Sequence, residues 1–240
     1  MRIGIMPVNG LGTRFKSIHD FKPFANVPNY YEPMYIHSIK NCGVKVDKFI
    51  VIGNSEYRKS FQQFGDLEGF IEYIFVDGLT DGPLETILLA SNKLNLDLNS
   101  EILIINCDQV VKWDGDQEIE KLKKSKASGG FPTIYRTSPR HSYALISDEV
   151  PNLVLRTREK EVLSNRATIG LYWFNKFSEF LSAAKLCKEK NDRAPNNEFY
   201  VSHVYNYLEG LVFQMPITVF YSLGEPDNYL KYLNCETQHD

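Results

Sequence analysis

The chain has 240 residues, with 27 Lys plus Arg against 30 Asp plus Glu, a formal charge of −3, and 43% hydrophobic residues. That length suits one large α/β domain, deep enough in its core to need no disulfide or metal staple. A near-neutral charge without a polybasic stretch argues against nucleic acid or an anionic membrane surface as a partner. The four cysteines, Cys42, Cys107, Cys187 and Cys235, form no Cys-x-x-Cys pair and suit a reducing cytoplasm. The first residues lack the long apolar core of a signal peptide, because Pro7 and Asn9-Gly10 interrupt it. No apolar run approaches the length of a membrane span.

The first element is Arg2-Ile3-Gly4-Ile5-Met6, a mostly apolar run long enough for one buried strand. Pro7-Val8-Asn9-Gly10-Leu11-Gly12-Thr13-Arg14-Phe15 follows at once, with a second basic site at Lys22-Pro23. A Gly-x-Gly turn after a buried strand lets backbone N–H groups approach an anion, since a Cβ there blocks the approach. Arg14 adds a delocalised fork of donors for phosphate oxygens, and Lys22 a mobile point charge. On the residues alone two readings stand: a triphosphate cradle, or a strand-to-helix turn with a solvated arginine. A Walker-type P-loop is excluded, because no Gly-x-x-x-x-Gly-Lys-Ser/Thr occurs. So is the dinucleotide fingerprint, because Phe15 stands where its third glycine belongs.

A helix-like run from Met34 to Asn41 stops at Gly43, and Lys48 to Gly53 reads as the second strand. A helix over Glu56–Phe64 and a strand over Gly69–Val76 follow. This alternation predicts a doubly wound, mainly parallel sheet with helices on both faces. Asp77 to Thr86 is a loop dense in turn formers, in the position where open parallel sheets border their ligand crevice. Ile102 to Ile105 is almost continuously apolar and ends abruptly in Asn106, Cys107 and Asp108. A carboxylate at that point lies in the crevice and suits Mg2+, which takes oxygen ligands and keeps several waters. A turn or helix-cap aspartate is the plainer alternative.

Gln117 to Lys126 reads as a solvated helix. Gly129–Tyr135, Ser142–Ile146 and Leu153–Leu155 alternate as antiparallel pieces do. Asn165 to Phe174 is one further strand with Gly170 inside it, which implies a bulge or a close ligand approach. Phe177 to Lys188 is an amphipathic helix, and Asn196–Ser202 leads into another that runs through Leu208 to Gly210. The strand Thr218–Tyr221 precedes Ser222–Tyr229 and a short final helix.

Taken together, Gly10-Leu11-Gly12-Thr13-Arg14-Phe15 and Lys22-Pro23 resemble the N-terminal motif of the sugar-1-phosphate nucleotidyltransferases. Asn106-Cys107-Asp108-Gln109 is similar to that family's Asn-Ser-Asp-Gln, and Ala167-Thr168-Ile169-Gly170-Leu171-Tyr172 to its Ala-Thr-Val-Gly-Ile-Tyr. Asn197-Glu198-Phe199-Tyr200-Val201 and the Lys160 segment match further, so the resemblance covers roughly Met1 to Leu233 and is nearest to the surface and capsular polysaccharide subgroup. It implies a single Rossmann-like, GT-A-type α/β domain over 1–240, with a small antiparallel substrate-side insertion. About 1–125 would be its nucleotide half and about 126–233 its sugar-phosphate half.

The resemblance further implies transfer of a nucleotidyl group from an NTP to a sugar 1-phosphate, with release of pyrophosphate. Arg14, Lys22 and Asp108 would be catalytic, with Asp108 holding Mg2+. Asn9, Gly10, Gly12 and Thr13, with Asp81 and Gly82 on the base side, would bind nucleotide. Lys160, Gly170 and Glu198 would bind the acceptor. On the residues alone, Lys160 reads as a surface lysine and Glu198 as a helix-start glutamate. The chain departs from the family's pattern in two places: Glu225 replaces a threonine, and Ser222 stands where many relatives carry a second magnesium aspartate. Two alternatives remain, the same chemistry on a non-sugar phosphate such as phosphocholine, and a degenerate nucleotide-binding regulatory module. A cytoplasmic location, no nucleic-acid or membrane partner, and room for a homo-oligomer complete the expectation.

Overall fold

Alternation along the first strand already divides the molecule into two layers. In the computed structural model, which describes residues 1–10, 12–27 and 30–236, strand β1 (Arg2–Val8) sends Ile3 and Ile5 to one face and Met6 and Val8 to the other. Each face is covered by helices. On the Met6 face lie α1 (Met34–Lys40), α2 (Arg58–Gln63) and α4 (Gly115–Lys124), through residues such as Ile36, Phe61 and Ile119. On the Ile3 face lie α3 (Pro83–Ala90), α5 (Phe177–Glu189) and α6 (Val201–Val204), through residues such as Ile87, Phe180 and Val204.

After β1 come the two-residue strands β2 (Asn26–Val27) and β3 (Glu32–Pro33), then β4 (Lys48–Asn54) and β5 (Ile71–Val76). β6 (Glu101–Ile105), β7 (Gln109–Lys112), β8 (Gly129–Tyr135), β9 (Ser142–Ile146) and β10 (Val154–Glu159) follow. The chain continues with β11 (Arg166–Thr168), β12 (Leu171–Phe174), β13 (Val212–Met215) and β14 (Val219–Ser222), and closes on helix α7 (Pro226–Glu236). Ten strands form one sheet in the order β10-β9-β11-β8-β12-β6-β1-β4-β5, with β13 also on β8. Strands β5, β4, β1, β6, β8, β13 and β9 point one way, and β12, β11 and β10 the other. The sheet is thus mainly parallel and doubly wound, with an antiparallel patch at the β10 end and a separate β14-β7 ladder. Because β1, β5, β6 and β8 share a direction, their carboxyl ends open onto one edge, which is where the loops carrying the candidate residues gather. Among the described residues no helix is long and apolar enough to cross a membrane.

The structure corrects several element boundaries. The single strand expected over Asn165–Phe174 is two, β11 and β12, broken at Gly170, whose φ is +80°. A side chain there would meet the Asn106 amide: an ideal Cβ lies 2.2 Å from its Nδ2. The close approach inferred for Gly170 is therefore made by the protein's own Asn106, whose backbone N–H also donates to the Gly170 carbonyl at 2.9 Å. The piece expected over Leu153–Leu155 extends to Glu159, an edge strand that keeps Arg156 outward, as charged edges do. Strands β7 and β13, each four residues long, were not expected at all. The helix expected after Asn196–Ser202, through Leu208 to Gly210, is shorter: it spans Val201–Val204 and tightens into a 3-10 turn at Tyr205–Tyr207.

Gly170→Ala forces both a left-handed backbone onto alanine and a clash with Asn106. We expect a loss of about 1–3 kcal/mol of unfolding free energy, measured by urea titration. Adding Asn106→Ala should recover only part of it, because the backbone strain remains.

Candidate active site

The cradle begins where β1 runs out of buried neighbours. Gly12 takes the left-handed conformation (φ +57°), and an ideal Cβ on it would lie 3.0 Å from Cβ of Lys22. The turn can therefore pass close to Lys22 only as glycine. A 3-10 turn, Thr13–Phe15, follows, and Phe15 is driven into a small core where its ring meets the edge of Tyr229 on α7 at 5.3 Å. This explains physically why the third glycine of a dinucleotide loop is absent: that position is a hydrophobic anchor. Arg14 points outward, its side chain 69% exposed, and is ion-paired with Glu225 at the start of α7. Asn9 is 4% exposed, and its Nδ2 donates to the carbonyl of Gly78 at 3.0 Å and to Thr80 Oγ1 at 3.2 Å. Those two bonds fix the amide's orientation, and its buried Oδ1 has no partner among the described residues. A buried acceptor without a donor, on a cleft wall, is a demand that a ligand can meet.

β6 ends at Ile105, and its next residues turn into the cleft. Lys22 Nζ donates to Asp108 Oδ2 at 2.6 Å. Burial alone would lower the Lys22 ammonium, but the Asp108 carboxylate outweighs it and holds the lysine above its ordinary value. Leu223 N–H donates to the Asp108 carbonyl at 2.7 Å, and β14 pairs Ser222 with Gln109. The pairing brings the Ser222–Gly224 segment against Asp108, so closely that an ideal Cβ on Gly224 would lie 2.3 Å from Oδ2. The donor set fits magnesium of one kind only. No group of three His, Cys, Asp or Glu side chains able to hold a metal occurs among the described residues. Asp108 can therefore offer one carboxylate oxygen ligand, and phosphate oxygens and water would supply the rest, as Mg2+ commonly requires. Cys107, with its thiol pushed up to about 11 by burial, stays neutral and is no ligand for so hard an ion.

Across the cleft, Lys160 sits in a left-handed turn (φ +60°) just past β10, and its Nζ donates to the Tyr200 hydroxyl at 2.8 Å. Tyr200 in turn donates to Glu198 Oε2 at 2.5 Å, and Asn196 Nδ2 donates to the same oxygen at 2.7 Å. Lys160, Tyr200 and Glu198 are thus one hydrogen-bonded chain. Beside it, Glu159 is 6% exposed and accepts from Ser142 Oγ. Burial pushes its carboxyl up to about 7, against the pull of Ser142 and Lys160. The N–H of Glu159 is held by His203 Nε2 at 2.9 Å, so His203 is a neutral acceptor there. Gly82 joins the two walls: Phe199 N–H donates to the Asp81 carbonyl at 2.6 Å, and Leu84 N–H to the Phe199 carbonyl at 3.1 Å.

These groups border one cleft of about 730 Å3. Asn9, Gly10, Gly12, Arg14, Lys22, Gly82, Asp108, Lys160, Gly170 and Glu198, from opposite ends of the chain, all line it. Thr13 faces an adjoining recess beside the glycine turn. Asp81 does not join them: it is not part of the cleft lining, and its carboxylate pairs with Arg193 at 3.0 Å. Sequence reasoning missed Glu159, Tyr200, Asn106 and the basic loop Arg136–His141, which also border the cleft. Glu159 had a signal, the inward position of the β10 alternation next to Lys160. Arg136 and Arg140 had none, since a charged loop reads as solvated surface until its neighbours are known.

An open α/β sheet has its ligand crevice at the carboxyl ends of its strands, which is where this polar cleft lies. The chain belongs to the nucleotidyl transferase family, whose profile it matches over residues 4–232. No functionally curated protein matches it in sequence. Among solved structures it is similar to the nucleoside-diphosphate-sugar pyrophosphorylase of Vibrio cholerae, with 20% identity, a TM-score of 0.76, and 98% of this chain and 100% of that one covered. The UTP-bound UGPase of Acinetobacter baumannii superposes with a TM-score of 0.73 at 16% identity, covering 100% of this chain and 94% of that one. A UDP-glucose pyrophosphorylase complexed with UDP-glucose gives 0.76 at 13% identity, with both chains fully covered. At these identities the likeness is one of fold.

Because the folded Glu159 carboxyl lies above the ordinary range of roughly 4.3, the folded state binds more protons between those two values. Stability should then fall as pH rises from about 4.5 to about 7 and stay level above that. Glu159→Gln, which keeps an acceptor for Ser142 without the buried charge, should melt several degrees higher than the wild type at pH 8, and the gap should shrink towards pH 5.

Proposed function

We propose that the protein joins an NTP to a sugar 1-phosphate, giving a nucleotide sugar and pyrophosphate, in the cytoplasmic supply of surface polysaccharide synthesis. The observation that carries this reading is the convergence of two charged walls on one cleft. The first, from residues 1–125, carries Gly12, Arg14, Lys22 and Asp108; the second, from residues 126–233, carries the Lys160–Tyr200–Glu198 chain. In the reaction a phosphate oxygen of the acceptor attacks the α-phosphorus. The bond from that phosphorus to the bridging oxygen breaks, and pyrophosphate leaves with the electron pair. The attacking phosphate is already anionic, so no general base is needed, and catalysis reduces to in-line positioning and neutralisation of charge.

Each side chain then has a task. Backbone N–H groups around Gly10 and Gly12, with Thr13 and Arg14, hold the β- and γ-phosphates, and Lys22 meets the α-phosphate. Asn9 turns its free Oδ1 towards a donor on the nucleoside, and Gly82 borders the base. Lys160 takes the acceptor phosphate, and Glu198 accepts from vicinal hydroxyls while Tyr200 keeps it oriented. Asp108 would hold Mg2+, which when bound supplies positive charge to the phosphate oxygens. Both phosphate cations are held by carboxylates in this structure, Arg14 by Glu225 and Lys22 by Asp108. Binding therefore exchanges one anionic partner for another, which limits the charge left uncompensated at any stage.

The decisive assay is magnesium-dependent release of pyrophosphate from each of the five common NTPs with a panel of sugar 1-phosphates. Nucleotide binding without release under any pairing would favour a binding module over an enzyme. Arg14→Ala and Asp108→Asn should each lower kcat/KM by about a hundredfold or more in a protein whose circular dichroism is unchanged. Glu225→Ala should act in the opposite direction. Releasing Arg14 from an exposed ion pair worth about 0.2–1 kcal/mol should tighten NTP binding by at most roughly fivefold, read by calorimetry at low salt.

A further inference from the structure

The loop from Arg136 to His141, which joins β8 to β9, carries two arginines and a histidine along the cleft wall. It is fixed in three places. Arg136 N–H donates to the Asn165 carbonyl at 3.1 Å, and the Tyr143 hydroxyl donates to the Ser138 carbonyl at 2.6 Å. Lys160 N–H donates to the His141 carbonyl at 2.9 Å. These ties fix the path of the loop's backbone along the cleft, while the Arg136 and Arg140 side chains are exposed to solvent.

Neither Arg136 nor Arg140 makes an ion pair among the described residues, and the one side-chain bond of Arg136 is to the carbonyl of Tyr135. The cleft's other carboxylates are committed: Asp108 to Lys22, Glu225 to Arg14, Glu159 to Ser142, and Glu198 to Tyr200 and Asn196. The two guanidiniums are close enough to act, after burial, in holding His141 below its ordinary value, with Glu225 pulling weakly the other way. Both guanidiniums line the cleft, and an anion bound there would meet their donor forks without a protein carboxylate paired to either among the described residues. A sugar 1-phosphate carries about −1.5 to −2 charge, so Lys160 and one guanidinium would balance it, and the second guanidinium is left for a further anionic group.

We infer that Arg136 and Arg140 form a second anion subsite contiguous with Lys160, and that the acceptor is a phosphorylated small molecule bearing another anionic group, a carboxylate or a second phosphate. This rests on the acceptor reading of the Lys160 wall. It assigns the substrate a class to which a neutral hexose 1-phosphate does not belong, nor phosphocholine, whose second charged group is a cationic trimethylammonium. The planar fork of each arginine suits two oxygens at once, so carboxylate and phosphate are both accommodated, and the choice between them is left to the measurement.

The test is calorimetric titration of the full chain, saturated with Mg2+ and an α,β-methylene NTP. The ligands are glucose 1-phosphate, glucuronic acid 1-phosphate and glucose 1,6-bisphosphate, with the galactose-configured 1-phosphate and uronic acid 1-phosphate alongside. Within a configuration, the doubly anionic compound should bind at least about tenfold more tightly than the neutral sugar phosphate. The ratio should fall to about one in Arg136→Gln/Arg140→Gln, while Arg136→Lys/Arg140→Lys should keep part of it. The uronic acid and bisphosphate arms identify which anion is read. Equal binding of neutral and anionic acceptors by the wild type overturns the inference, as does no measurable binding of any anionic compound. If the double variant loses affinity for the NTP analogue and keeps its acceptor ratio, the loop serves the triphosphate instead and the inference is lost. Pyrophosphate release is scored separately: preference in binding without turnover leaves the subsite standing and defeats the transfer reaction, whereas turnover with flat binding does the reverse.

Discussion

The cleft is built around the confinement of one carboxylate. Asp108 has Lys22 on its oxygen, the Leu223 N–H on its carbonyl, and Gly224 so close that no Cβ could be added. Those three neighbours come from the cradle, from the β14-β7 ladder and from the lead-in to α7. A strand buried on both faces must be apolar until it leaves the sheet, so the first polar residues after Ile105 emerge together at its carboxyl end. The position of the charge is therefore a consequence of where burial stops. The neighbouring segments are shaped to it: a left-handed Gly12 admits Lys22, and an unsubstituted Gly224 admits the carboxylate.

The second wall is locked to the first by backbone rather than by side-chain chemistry. Gly82, at φ +104°, lies so near the Phe199 carbonyl that an ideal Cβ would sit 2.6 Å away, and the flanking Asp81 and Leu84 exchange hydrogen bonds with Phe199. Gly170 is pressed against Asn106 in the same manner. Two contacts of this kind leave little freedom for the walls to shift, which suits a reaction that depends on alignment more than on acid–base chemistry.

Much of this was legible in the residues because it depends on local pattern. The apolar run at Ile102–Ile105 predicted a central strand, and the abrupt change at Asn106 predicted where it would meet the cleft. The two-letter turn Gly10-x-Gly12 marked the loop. Other features depend on partners far away in the chain. Gly170 read as a bulge or a close ligand approach, but only the structure shows that Asn106 fills the space in front of it. Asp81 looked like a cleft residue by position, yet Arg193, more than a hundred residues on, takes its carboxylate. The four-residue strands β7 and β13 carry too little alternation to stand out, and exist because β14 and β8 pair with them. Arg136 and Arg140 illustrate the same limit: a charge is remarkable only once its missing counter-charge is known.

Helix α7 is joined to the opposite end of the chain. Tyr229 packs on Phe15 behind the glycine turn, the Tyr232 hydroxyl bonds His37 Nε2 at 2.8 Å, and Leu223 and Tyr229 share a small core with Phe15, Val27, Met34 and Val110. The floor beneath the glycine turn is therefore laid by a segment remote from it in sequence. Loosening α7 would slacken that turn from behind, so a substitution well outside the cleft can disturb the loop at its mouth.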